Sequence, residues 1–151
     1  MRALVQRVAH AQVDVQGKTI GEIGQGLMIL LGITHDDDEK DIAYLVKKLI
    51  KLRIFNDEEG KMNLSVEDVS GGMLVISQFT LFANSKKGNR PSYIRSAPPD
   101  VSIPMYEKFL THLRSQFAGP VEMGEFGAEM KVSLLNDGPV TIMLDSKMPE
   151  Y

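Results

Sequence analysis

The stretch Met73-Leu74-Val75-Ile76-Ser77-Gln78-Phe79-Thr80 runs from four apolar residues straight into a hydroxyl, an amide, a phenyl ring and a second hydroxyl. An apolar run this short reads as a buried strand. Function concentrates where a rigid scaffold gives way to loop, which makes Ser77, Gln78, Phe79 and Thr80 candidate site residues. The plainer alternative is a strand end whose hydroxyls cap the sheet.

The fold class follows from what surrounds this strand. Upstream, Ile42, Leu45, Val46, Leu49 and Ile50 have helical spacing. Asp36-Asp37-Asp38-Glu39 supplies the acidic residues that a helix N-terminus favours. That cluster reads as a solvated cap, and Asn56 to Gly60 as a solvated turn, in preference to metal sites. Earlier still, residues 2–34 alternate at period two, with a hairpin turn at Gln16-Gly17-Lys18 and a fully buried strand over Leu27 to Leu31. Downstream, a second helix spans about Ser102 to Phe117. Ser102 is its expected N-cap, Pro104 lies in its first turn, and Tyr106, Phe109, Leu110, Leu113 and Phe117 form its stripe. Two further strands are expected around Asn136-Asp137-Gly138-Pro139. The order is strands, helix, strand, helix, strands. It implies an α+β fold with two main helices on a curved or barrel-like, mostly antiparallel β-sheet. No linker, internal repeat or low-complexity segment divides residues 1–151, so a single domain is expected.

Composition narrows the function. A chain of 151 residues buries roughly 68–70% of its unfolded surface. Its 43% hydrophobic and 25% charged residues are ordinary for a globular domain. The longest apolar run is far short of a membrane span. The first residues lack the apolar core of a signal peptide, so a cytoplasmic protein that makes no use of membranes is expected. Cysteine is absent, which excludes disulfides, thiolate nucleophiles and Cys-ligated metals. A net charge of −3 argues against coating nucleic acid. Between Asn84 and Arg95, however, lie Lys86, Lys87, Arg90 and Arg95 with no acidic residue. Such a loop can neutralise phosphates, or it can be solvated surface, and the two readings weigh equally.

Familiar catalytic signatures are missing: no Gly-x-Ser-x-Gly elbow, phosphate-binding loop or His-Glu-x-x-His. His10, His35 and His112 read as surface or structural, so a Ser-His-Asp enzyme is not expected. Asn136 to Pro139, taken alone, is an ordinary turn.

Six stretches in order nevertheless resemble the bacterial and eukaryotic D-aminoacyl-tRNA deacylases over nearly the whole chain. They are Met1 to Val8, Leu52 to Phe55, Ser77 to Leu81, Gly88 to Ser92, Phe126 to Met130 and Asn136 to Thr141. Ile142, where an aromatic is more usual, and Ile94-Arg95-Ser96 depart from the pattern. The resemblance implies the D-aminoacyl-tRNA deacylase fold and hydrolysis of the ester joining a D-amino acid to the terminal adenosine of tRNA. It implies a homodimer whose cis Gly138-Pro139 enters the partner's Ser77 to Thr80 site and rejects L-amino acids sterically, with Arg7 orienting it. The ligand would be the 3′ end of aminoacyl-tRNA, with no cofactor and no metal. Lys86, Lys87 and Arg90 would meet RNA phosphates, and the ribose hydroxyl would assist hydrolysis. Backbone N–H groups of Phe79 and Thr80 are candidate donors to the ester carbonyl. Two rivals are a non-catalytic module binding the tRNA end and an esterase with Thr80 as nucleophile. No neighbouring base in the sequence would activate that threonine.

Overall fold

Three strands open the chain: β1 (Arg2–Val15), β2 (Lys18–Ile23) and β3 (Gly26–Gly32). The computed structural model describes residues 1–150. β1 turns into β2 through Gln16 and Gly17, both at positive φ, the geometry that suits a tight hairpin. Helix α1 (Glu39–Lys51) starts at Asp38, whose side chain accepts from Lys40 and Asp41 N–H while Asp41 reaches back to the Asp38 N–H. A small hairpin follows, β4 (Phe55–Asn56) with β5 (Met62–Leu64). Then come β6 (Gly72–Ser77), a 3₁₀ turn over Phe79–Phe82, helix α2 (Pro99–Gln116), β7 (Val121–Met123) and β8 (Lys131–Asp145).

The main sheet runs β2-β1-β3-β6-β7, with β8 along the far side of β1. β1 is antiparallel to β2, β3 and β8, whereas β6 is parallel to β3 and β7. The sheet curls until its ends approach: a methyl on Gly21 of β2 would lie 2.9 Å from the Met123 carbonyl of β7. Apolar side chains fill both faces of β3 and β6, which is why these strands read as continuous hydrophobic runs. Leu27, Ile29, Met73 and Val75 pack toward α1 and α2, meeting Leu45, Leu49, Phe109 and Leu113. Met28, Leu74 and Ile76 point to the other side, with Val8, Ala11 and Val13.

Three expectations change. Asn136 to Pro139 does not join two strands; it lies within one strand, β8, which pairs with β1 on both sides of it. Ser102 is not the cap of α2. The helix begins three residues earlier at Pro99, whose missing N–H costs nothing in a first turn, and the Ser102 hydroxyl bonds back to the Pro98 carbonyl. Asp37 is not solvated. It is buried against the Met1 α-ammonium, and burial raises its pKa despite that partner.

Candidate active site

The end of β6 opens onto a cavity of about 600 Å³. Leu31 of β3 stands opposite Ser77, and the Leu31 carbonyl accepts the Gln78 N–H at 2.8 Å. From there the chain tightens into the 3₁₀ turn, with Leu81 N–H donating to Gln78 O and Ala83 N–H to Thr80 O. The first N–H groups of a helical turn have no partner within it. Accordingly the N–H groups of Phe79 and Thr80 find no acceptor among the described residues. Ser77, Gln78 and Phe79 line the cavity, and Thr80 does not. The Gln78 amide donates to the Thr80 hydroxyl oxygen, so one lone pair of that oxygen is engaged.

The opposite wall comes from the segment between β7 and β8, with Phe126, Ala128 and Met130. Tyr106 of α2 ties the two walls together. Its buried hydroxyl donates to the Val75 carbonyl at 2.8 Å, and its ring meets Phe126 edge-on with centroids 5.8 Å apart. Burial holds that phenol protonated, raising its pKa well above the usual value.

On β8 the polar motif forms a bulge. Gln6 faces Thr141 and Val8 faces Asn136, so Arg7 alone stands opposite Asp137 to Val140. Arg7 is only 6% exposed. Its Nε donates to the Asp137 carbonyl at 3.0 Å and its Nη1 to the Ile54 carbonyl at 2.6 Å, with the Asp137 carboxylate 3.4 Å from Nε. The Asn136 amide closes the base of the bulge by donating to the carbonyls of Arg7 and Val140, each at 3.0 Å. Gly138 sits at φ +129, where a Cβ would come within 2.9 Å of Arg7 Nη2 and 2.8 Å of Val140 Cγ2. The Gly138-Pro139 bond is cis. Both residues are exposed, and neither lines the cavity of its own chain.

A family model described as D-Tyr-tRNA(Tyr) deacylase matches residues 4–145. The chain belongs to the D-aminoacyl-tRNA deacylase family. As a member it is an enzyme, a hydrolase. The D-aminoacyl-tRNA deacylase of Fusobacterium nucleatum is 58% identical over 147 residues, 97% of each chain. That of Thermosipho africanus is 56% identical over 147 residues, 97% of this chain and 98% of its own. A solved structure described as c-Myc DNA Unwinding Element Binding Protein superposes with a TM-score of 0.91 at 42% identity, covering 96% of this chain and 98% of that one. One described as a probable eukaryotic D-amino acid tRNA deacylase shares the fold, with a TM-score of 0.78 at 20% identity over 95% and 97% of the two chains.

The other candidates from the sequence do not line this cavity. Lys86, Lys87 and Arg90 are exposed on the loop that leaves the 3₁₀ turn. None of the three histidines lines the cavity; His35 instead bonds the Ile94 carbonyl from outside. Tyr93, Phe126 and Met130 are wall residues that the motif reading did not single out. For Phe126 and Met130 a signal existed, because they bracket one of the six matching stretches.

Proposed function

We propose that this deacylase removes D-amino acids from tRNA by positioning and polarising the ester, while the RNA assists its own hydrolysis. The observation that carries the reading is the pair of unpartnered N–H groups at Phe79 and Thr80, on a turn whose first residue borders the cavity, with no histidine there. In this reading the terminal adenosine enters the cavity and the ester carbonyl turns toward those donors. Charge developing on the carbonyl oxygen is then met by preoriented dipoles; removing one such donor costs roughly 3–4 kcal/mol of barrier. The neighbouring ribose hydroxyl lies close enough to the ester to assist attack, which makes a protein nucleophile unnecessary. Thr80 fits poorly as that nucleophile, since its oxygen accepts from Gln78 and no base stands beside it.

The working unit is a homodimer of single-domain chains spanning 1–151, acting in the cytoplasm. Gly138-Pro139 is exposed and does not line the cavity of its own chain, and we assign it to the partner's. There it forms a wall where an L side chain would have to stand, with Arg7 and Asn136 holding it in place. Lys86, Lys87 and Arg90 meet the phosphates of the acceptor end.

Deacylation of D-Tyr-, L-Tyr- and Gly-tRNA at matched enzyme tests this. D-Tyr- and Gly-tRNA are cleaved and L-Tyr-tRNA survives, because glycine offers nothing for a wall to exclude. Inert Gly-tRNA refutes the wall. A module that only binds the RNA end leaves all three esters intact. In the same assay Thr80→Ala keeps its rate, whereas a loss of several orders of magnitude restores the nucleophile reading.

A further inference from the structure

The lip of the cavity carries an arrangement that ester chemistry does not use. Tyr93 and Phe79 meet edge to face, centroids 5.1 Å apart, and remain 40% and 56% exposed. Ile94 beside them is 82% exposed. Yet this is a fastened segment. Thr34 Oγ1 donates to the Arg95 carbonyl at 2.6 Å, His35 Nε2 lies 3.1 Å from the Ile94 carbonyl, and Ala97 N–H donates to Ile33 O. Ser96 Oγ donates to the Phe79 carbonyl at 2.7 Å, binding the segment to the 3₁₀ turn itself. Asn84 and Ser92 exchange both backbone hydrogen bonds, closing the base of the loop that presents Lys86, Lys87 and Arg90.

The pocket and its aromatic lip are thus joined to the base of the cationic loop, which the Asn84–Ser92 pair closes one residue before Tyr93. A single-stranded nucleic acid end asks for this succession: an enclosure for the last nucleoside, a flat apolar face for the next base, and cations for the phosphates between them. The other side of the cavity offers the reverse. Beyond Ala128 a second hollow is bordered by Asp14, Glu125 and Glu129, with Lys131 the only cation among its lining residues. The charges therefore disfavour phosphates on that side and favour them beside Lys86, Lys87 and Arg90.

We infer that the Tyr93 ring is the stacking platform for the nucleobase immediately 5′ to the terminal adenosine of the aminoacylated RNA. The inference rests on the reading above, that the cavity holds the terminal aminoacyl-adenosine. Phe79 supports the ring from its edge, and the fastened backbone removes the ordering cost that a loose loop would add on binding.

The test compares D-Tyr-tRNA, the same tRNA abasic at its penultimate position, and D-Tyr-adenosine, which ends before the base in question. Tyr93→Ala raises KM for D-Tyr-tRNA by roughly tenfold or more, the range of one base–aromatic stack, with kcat little changed. It raises KM for D-Tyr-adenosine by a distinctly smaller factor, since that ester loses only the ring's contact at the rim of the cavity, and Tyr93→Phe, which keeps the ring, restores the low KM for tRNA. The abasic tRNA reproduces the KM of Tyr93→Ala with the unsubstituted enzyme and adds nothing further in the variant. Equal losses on tRNA and adenosine esters make the ring a cavity wall or a side-chain contact and nothing more, and overturn the inference. Additive losses from the abasic site and Tyr93→Ala overturn it too, since the two groups then do not touch. A changed sedimentation coefficient in Tyr93→Ala assigns the ring to subunit packing, with the same consequence. If the unsubstituted enzyme cleaves neither D-Tyr ester, it is the function above that fails.

Discussion

Ser77 to Thr80 and Asn136 to Val140 are held in place by opposite means. The first segment ends a strand whose Met73, Leu74, Val75 and Ile76 are all buried, and it inherits its position from that burial. The second is an exposed bulge, fixed by Arg7 and Asn136 through bonds to backbone carbonyls. Burial is non-directional and grows with area, whereas hydrogen bonds depend steeply on geometry. The first segment is therefore lost only with the fold, and the second can be displaced in a molecule that is otherwise intact.

The contrast is exposed to its largest test at Leu74, fully buried inside the curl of the sheet. Leu74→Ala destabilises the protein by about 2–5 kcal/mol. Urea denaturation measures the loss, and deacylation falls only in step with the folded fraction. Unchanged stability would show that burial does not hold this strand.

Gly138→Ala tests the other side. Its methyl meets Arg7 and Val140 below 3 Å at a φ that side chains avoid, so the bulge shifts. A displacement of about 1 Å is enough for a roughly hundredfold drop in kcat/KM, while the circular-dichroism melt stays close to that of the unsubstituted protein. A variant that unfolds, or one that keeps its full rate, breaks the contrast.

The smallest effect lies at the far end of β8, where Lys147 donates to Asp41 at 2.8 Å. Burial pushes the Asp41 carboxyl up, but bonds from Lys147, Ser146 and the Asp38 N–H outweigh it, and the group titrates at about 2 instead of 3.8. A lowered folded pKa gives stability that is complete above the unfolded value, near 4, and fades as pH falls through 2. Asp41→Asn accordingly costs about 2 kcal/mol at pH 7, and the deficit shrinks toward zero as pH falls through 2. A deficit that ignores pH would assign the loss to the helix cap alone.

Legibility in the sequence divides along the same line. β3, β6 and α1 were readable because burial leaves a periodic or continuous apolar trace. The bulge was not, since Asn, Asp, Gly and Pro look the same in a turn as in a bulge. Only pairing with β1, more than a hundred residues away, distinguishes them. Ser102 misled for a related reason: a serine shortly before a proline imitates a cap, while Pro99, the actual first residue, carries no periodic signal. The cavity was half legible. Ser77, Gln78 and Phe79 are contiguous, but Tyr93, Phe126 and Met130 reach it from two other segments that only the folded sheet brings together.

Arg2 of β1 faces Asp145 of β8, so the first long strand waits for the last. Pairings this distant in sequence are slow to form. As the ribosome delivers the chain, β1 keeps one edge bare until residues 131–145 have emerged, and the bulge arrives with the strand that closes it. A chain cut short upstream of β8 lacks Val132 from the lining of the cavity and the whole Gly138-Pro139 bulge, and it keeps an open edge ready to pair with other strands. Premature termination therefore yields an aggregation-prone fragment; it does not yield a folded enzyme that lacks only its bulge.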